Sequence, residues 1–122
     1  MSYDIRFGVK VAGADDLYVE IGRPSYDSPT YNLGTMFRKC TGWDYKQGEW
    51  YNVAEVLPLI QKGINELKFN PGEYRQYNPS NGWGNIAGAL EVLQSLEDGI
   101  IRLTVSDGWT DIIPPECLYV KW

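Results

Sequence analysis

The hydrophobic period of this chain switches from two residues to 3.6 and back, and that switch limits what it can fold into more than any other feature. From Tyr3 to Val11 the side chains Tyr3, Ile5, Phe7, Val9 and Val11 alternate with Asp4, Arg6, Gly8 and Lys10. Successive strand side chains point to opposite faces, so this is the pattern of a half-buried strand. Gly13-Ala14-Asp15-Asp16 is a turn signal, and Leu17 to Ile21 reads as the hairpin partner. After a loop from Gly22 to Pro29 the period becomes helical. Leu33, Met36, Phe37 and Cys40 share one face, with Asn32 as the expected N-cap and Gly42 as the stop.

Val53, Val56, Leu57, Ile60, Ile64 and Leu67 form the longest stripe. Asn52 and Glu55 stand at capping-box spacing before it. Pro58 lies inside the stripe, where it removes a backbone hydrogen bond, and predicts a kink or a separated first turn. Asn70-Pro71-Gly72 ends the helix. A third helix is expected from Asn85 to Asp98 on Ile86, Ala89, Leu90, Leu93 and Leu96, with Gly99 as its stop. The segments Trp43–Tyr51 and Glu73–Gly84 read as loops. Ile100 to Val105 is rich in β-branched residues and reads as a strand. Ser106-Asp107-Gly108 is a turn, Trp109 to Ile113 a returning strand, and Cys117 to Trp122 a final one. The expectation is a single α+β domain over residues 1–122: a small, mostly antiparallel sheet, made of the N-terminal hairpin and C-terminal strands, packed with three helices.

Charge and composition narrow the chemistry. Lys and Arg total 11 against 16 Asp and Glu, a net charge of -5, whereas duplex binding normally needs a basic surplus. No direct DNA binding is therefore expected. There are 0 histidines, which removes Ser-His and Cys-His catalysis and histidine metal sites. Cys40 and Cys117 cannot make a tetrahedral zinc site unaided, and Cys40, on a helical stripe, reads as a small buried hydrophobe. Neither a dinucleotide fingerprint nor a phosphate-loop lysine motif occurs. No metal or cofactor is expected. The opening Met1-Ser2-Tyr3-Asp4-Ile5-Arg6 lacks the basic and apolar regions of a signal peptide. No apolar run is long enough to span a membrane, so a cytoplasmic location is expected.

The chain carries 5 Trp, 9 Tyr and 3 Phe. Phe7 and Phe37 fall on apolar stripes. Tyr26, Tyr31, Trp43, Tyr45, Trp50, Tyr51, Tyr74, Tyr77 and Trp83 fall instead in loops or at helix entrances, accompanied by amides at Asn32, Asn52, Asn78, Asn81 and Asn85. Ring faces with amide groups suit a planar, hydrogen-bonding ligand such as a nucleobase. Arg38, Arg75 and Lys46 are near enough in sequence to meet its phosphates. The closely spaced glycines of Asn81-Gly82-Trp83-Gly84-Asn85 either cradle an anion at a helix N-terminus or permit a tight turn capped by Asn85. The candidate ligand-binding set is Tyr31, Asn32, Arg38, Trp43, Arg75, Tyr77, Asn81, Trp83 and Asn85. Two readings compete with it. The same rings suit a protein interface, where Trp, Tyr and Arg are the usual anchors, or they close a minicore beneath long loops. The pairs Asp15-Asp16 and Glu97-Asp98 offer carboxylate bases for an enzyme, but adjacent carboxylates in a turn or at a helix end are ordinarily just solvated.

Met1-Ser2-Tyr3-Asp4-Ile5-Arg6-Phe7, the segment Ser28-Pro29-Thr30-Tyr31-Asn32-Leu33-Gly34-Thr35-Met36-Phe37, and Asn81-Gly82-Trp83-Gly84 resemble small accessory proteins of tailed bacteriophages and prophages of Gram-positive bacteria. The resemblance implies a role inside the infected cell and transfers no catalytic residue. It favours a non-enzymatic binding protein that sequesters a nucleotide-like immune signal, or an inhibitor that binds a host defence protein. A virion or assembly role is compatible with it, and the loop aromatics could also be buried in a symmetric homo-oligomer.

Overall fold

The computed structural model describes residues 2–79, 84–105 and 112–122. Strand β1 (Arg6–Lys10) pairs antiparallel with β2 (Tyr18–Gly22) on one side and with β4 (Leu118–Lys121) on the other. β4 in turn pairs antiparallel with β3 (Trp50–Asn52), giving the order β2-β1-β4-β3. Helices α1 (Gly34–Thr41), α2 (Val53–Phe69), α3 (Pro71–Tyr74) and α4 (Ile86–Thr104) complete an α+β domain. The expected hairpin and final strand are present.

Burial alternates along the central strands. Phe7, Leu118 and Val120 are buried, whereas Arg6, Tyr119 and Lys121 are only half-buried. One face of the sheet therefore receives the helices, and no described helix covers the other. The core joins Phe37 and Met36 of α1, Ile60 and Ile64 of α2, and Leu93, Leu96 and Ile100 of α4 to the strand residues. Two glycines set how closely these layers approach. A Cβ at Gly63 would lie 2.6 Å from Thr41 Cγ2, and one at Gly99 would lie 2.7 Å from Phe7 Cε2.

Several expectations are corrected. Asn32 is not the cap of α1. A short 3-10 turn, Tyr31–Leu33, precedes the helix, and Thr30 caps that turn by accepting the Asn32 N–H. The Trp43–Tyr51 segment ends in β3 rather than in a loop. Asn52 does cap α2, accepting from the Ala54 N–H at 3.1 Å, and α2 runs through Pro58 without a separated first turn. The segment after Asn70 holds α3 and a second 3-10 turn, Arg75–Tyr77, so the described residues hold four α-helices rather than three. Asn85 caps α4 as expected, accepting from Gly88 N–H at 2.8 Å. Gly99, however, is no stop, and Ile100 to Thr104 continue the helix instead of forming a strand. Ile100 extends the buried stripe of Leu93 and Leu96, and that burial outweighs the β preference of the segment. Ile112 and Ile113 lie outside any strand. The rest of the expected Trp109–Ile113 strand, and the turn before it, fall outside the described residues.

Candidate functional site

The uncovered sheet face carries an aromatic ridge built from three strands. Register places Lys10 opposite Tyr18, Gly8 opposite Tyr119, and Trp50 opposite Lys121. Tyr18 and Trp50 stack with centroids 5.1 Å apart and planes 15° apart, and Tyr119 meets Tyr18 edge-on at 5.0 Å. Lys121 Nζ sits 5.0 Å from the Trp50 ring centroid, a cation held over an aromatic face. Such a ridge needs a hole in the middle of the sheet, and Gly8 supplies it. The Trp50 indole occupies the space a side chain there would take. Beside the ridge, Arg6 bridges Asp4 and Glu20.

Two open depressions flank the rings. One, of about 390 Å³, lies between the Val11–Asp15 turn and the segment before β4, and is lined by Lys10, Asp15, Glu116, Cys117 and Tyr119. The other, of about 340 Å³, is lined by Asp16, Tyr18, Gly48, Glu49 and Trp50. Their rims thus bring four acidic side chains, Asp15, Asp16, Glu49 and Glu116, to one lysine, Lys10. With Lys121 on the ridge itself, four carboxylates face two lysines, a balance that favours an uncharged or cationic group over an anion.

The residues expected from sequence lie away from this ridge, and several of them gather: Tyr31, Arg38 and Trp43 border Tyr3 or Tyr45, and a Cβ at Gly84, next to Asn85, would touch Leu33 and Thr30 beside Asn32. Trp43 is 5% exposed and packs edge-on against Tyr45, Tyr51 and Trp122 at 5.4, 5.2 and 5.8 Å. It belongs to a buried aromatic cluster in which Tyr45 stacks on Trp122 at 4.7 Å and Tyr45 Oη donates to Tyr3 Oη at 2.9 Å. Tyr31 rests on the edge of the same cluster, its ring 4.7 Å from Tyr3 and its hydroxyl accepting from Gln47. Arg38 is turned inward. Its guanidinium lies 4.2 Å from the Tyr45 ring centroid and donates to the Tyr45 carbonyl at 3.3 and 3.4 Å. Arg75 is exposed and Tyr77 packs against Tyr74 on the segment after α3. Asn32 is exposed, and Asn85 serves as a cap. Asn81 and Trp83 lie outside the described residues. The minicore reading therefore holds for Trp43 and Tyr45: their rings gain more by burial against each other and Trp122 than by exposure on a loop.

Sequence reasoning named Trp50 among the loop aromatics but missed Tyr18 and Tyr119. Both occupy outward positions of strands read correctly as strands. Assigning the alternation of β2 and β4 to an inner and an outer face would have found them. The perturbed titrations lie in the interior. Burial pushes the Cys40 thiol up to about 12. Burial, then the hydrogen bond to Glu66, raises Tyr74 to about 12. Burial and the Tyr3 hydroxyl raise Tyr45 further still. All three shifts favour neutral, unreactive forms. Among the described residues no group of three or more acidic or cysteine side chains is placed to hold a metal ion, and no helix is long and apolar enough to cross a membrane. Comparison of the chain with protein families, with curated proteins and with solved structures finds no match.

Proposed function

We propose that this chain is a non-enzymatic binding protein that recognises a basic segment of a protein partner on the uncovered face of its sheet. The observation that carries this reading is the aromatic ridge of Tyr18, Trp50 and Tyr119 with a mainly acidic rim. Tyrosine and tryptophan are the side chains that most often anchor protein interfaces. Arginine or lysine of a partner would lay its stem along the aromatic ridge and find carboxylates for charge-assisted hydrogen bonds. The net charge of -5 would speed encounter with a basic surface. Taken with the resemblance to phage accessory proteins, the partner would be a host defence factor, and the activity its inhibition.

A nucleotide-like ligand is the second reading. The ring faces favour it, since bases stack on such side chains. The rim carboxylates oppose its phosphates, and Arg38 is committed to the Tyr45 carbonyl.

Arrays of basic, neutral and acidic peptides separate the two, alongside thermal shift with a panel of linear and cyclic nucleotides. We expect binding to basic peptides that weakens with salt and is lost in Tyr119→Ala and Trp50→Ala. Nucleotide-induced stabilisation with no peptide binding would replace this reading with the second one.

A further inference from the structure

We propose that β2 is a dimerisation edge, pairing antiparallel with β2 of a second copy about a two-fold axis through Val19. β2 and β3 are the two edges of the sheet. β3 spans only Trp50–Asn52 and runs directly into α2. β2 is longer, and among the described residues no strand pairs with its outer side. The Val11 N–H donates to the Leu17 carbonyl at 2.8 Å, and the pairing continues through Lys10–Tyr18, Val9–Val19 and Gly8–Glu20 before a bulge at Ile21. Because backbone groups in an antiparallel strand point alternately to either side, Leu17 and Val19 direct theirs to β1. Those of Tyr18 and Glu20 then point to the open edge. The helix side of the same strand is apolar and exposed: Leu17 is 53% exposed, Val19 51% and Ile21 39%.

An isologous pair must place its own residues opposite one another, and charge selects the register. An axis through Glu20 would oppose two Glu20 carboxylates. An axis through Tyr18 would set Asp16 against Glu20. An axis through Val19 sets Tyr18 opposite Glu20, so the outward-pointing groups form the hydrogen-bonded pairs. It also sets Leu17 opposite Ile21 and Val19 opposite Val19 on one apolar face. At each end it brings Arg23, which stands 47% exposed among Asp4, Glu20 and Asp27, to the Asp15–Asp16 turn of the other copy. Pairing would join two sheets into one continuous sheet and cover the backbone groups that make a bare edge prone to nonspecific association. Glu49 and Glu116 stay on the rim of the ridge.

Sedimentation and light scattering of the full chain test this without any ligand, so the outcome is independent of what the ridge binds. We expect twice the 13.9 kDa of one chain. Val19→Lys, which opposes two cations on the axis at a half-exposed position, should give a folded monomer whose melting temperature, unlike that of the wild type, no longer rises with protein concentration. In a Cys117→Ser background, Val19→Cys should crosslink on mild oxidation and Tyr18→Cys should not. A non-hydrogen-bonded pair holds its Cα atoms about 4.5 Å apart, within disulfide reach. A wild-type chain that stays monomeric at every concentration overturns the proposal. So does a dimer that Val19→Lys leaves intact or that Val19→Cys fails to lock.

Discussion

Trp50 reaches from β3 across β4 and rests the edge of its indole on Gly8 of β1, where a Cβ would lie 2.7 Å from both Cη2 and Cζ3. The Val19 carbonyl would stand 3.0 Å from the same added atom. Gly8→Ala should therefore push the indole off its seat and separate it from Tyr18. We expect a loss of about 1–3 kcal/mol, the usual cost of overpacking a filled site. The Tyr18–Trp50 signal in near-ultraviolet circular dichroism should fall with it. Trp50→Ala combined with Gly8→Ala should recover most of the added cost, because the clash goes with the ring.

Glycine to alanine inside a helix ordinarily stabilises by up to about 1 kcal/mol. At Gly99 of α4 the sign should reverse, since the new methyl would meet Phe7 Cε2 at 2.7 Å and Cζ at 2.9 Å. At Gly88 of the same helix the nearest atom, Asn85 Oδ1, is at 3.4 Å, an ordinary contact, so the usual gain should appear. Urea unfolding of the two variants decides the point. Equal effects would mean that the contact of α4 with β1 is looser than described.

Asn52 has two tasks. Its Oδ1 caps α2, and its Nδ2 faces the carbonyls of Pro115, Glu116 and Leu118 at 3.1, 3.0 and 3.2 Å. Aspartate caps helices as well as asparagine does, so Asn52→Asp isolates the second task. It turns an oxygen toward carbonyl oxygens and should cost at least about 1 kcal/mol. Asn52→Ala, which loses the cap as well, should cost about 1–3 kcal/mol. Full stability in Asn52→Asp would show that the tie between α2 and the approach to β4 contributes nothing.

Cys40 is buried and Cys117 exposed, both as free thiols. A thiol reagent at neutral pH should label Cys117 rapidly and Cys40 only on unfolding, because the thiolate is the reactive form and burial suppresses it. The same burial sets an alkaline limit. Cys40 rises from 9.0 to about 12 and Tyr74 from 10.0 to about 12 on folding. Above pH 9 the unfolded chain therefore releases protons that the folded chain keeps. These groups should make stability fall progressively as pH rises above about 9, with Tyr45 extending the fall at the alkaline end. Chemical denaturation across that range checks it, and Cys40→Ala should flatten the early part of the decline.

The sequence by itself determined the elements whose hydrophobic period is long and unbroken. The β1–β2 hairpin, α2 with its Asn52 cap, the start of α4 at Asn85 and the last strand were all legible, because alternation and helical spacing reflect burial on one side. It also determined, through the missing histidine and the charge balance, which chemistries to set aside. Tertiary contacts decided the rest. Ile100–Thr104 is helical because Ile100 lands in the core beside Leu96, which local propensity cannot register. Gly99 reads as a stop from the chain alone, yet it is a gap shaped for Phe7. Trp50–Asn52 becomes a strand only because β4, some seventy residues later, offers an edge. The candidate site depends on the same kind of information. Trp43 and Trp50 both follow a turn in one aromatic segment, and nothing local tells them apart. Packing drew Trp43 inward to join Tyr45 and Trp122, whereas β3 pairing turned Trp50 outward over Gly8, because a sheet covered on one face leaves the side chains of the other to solvent.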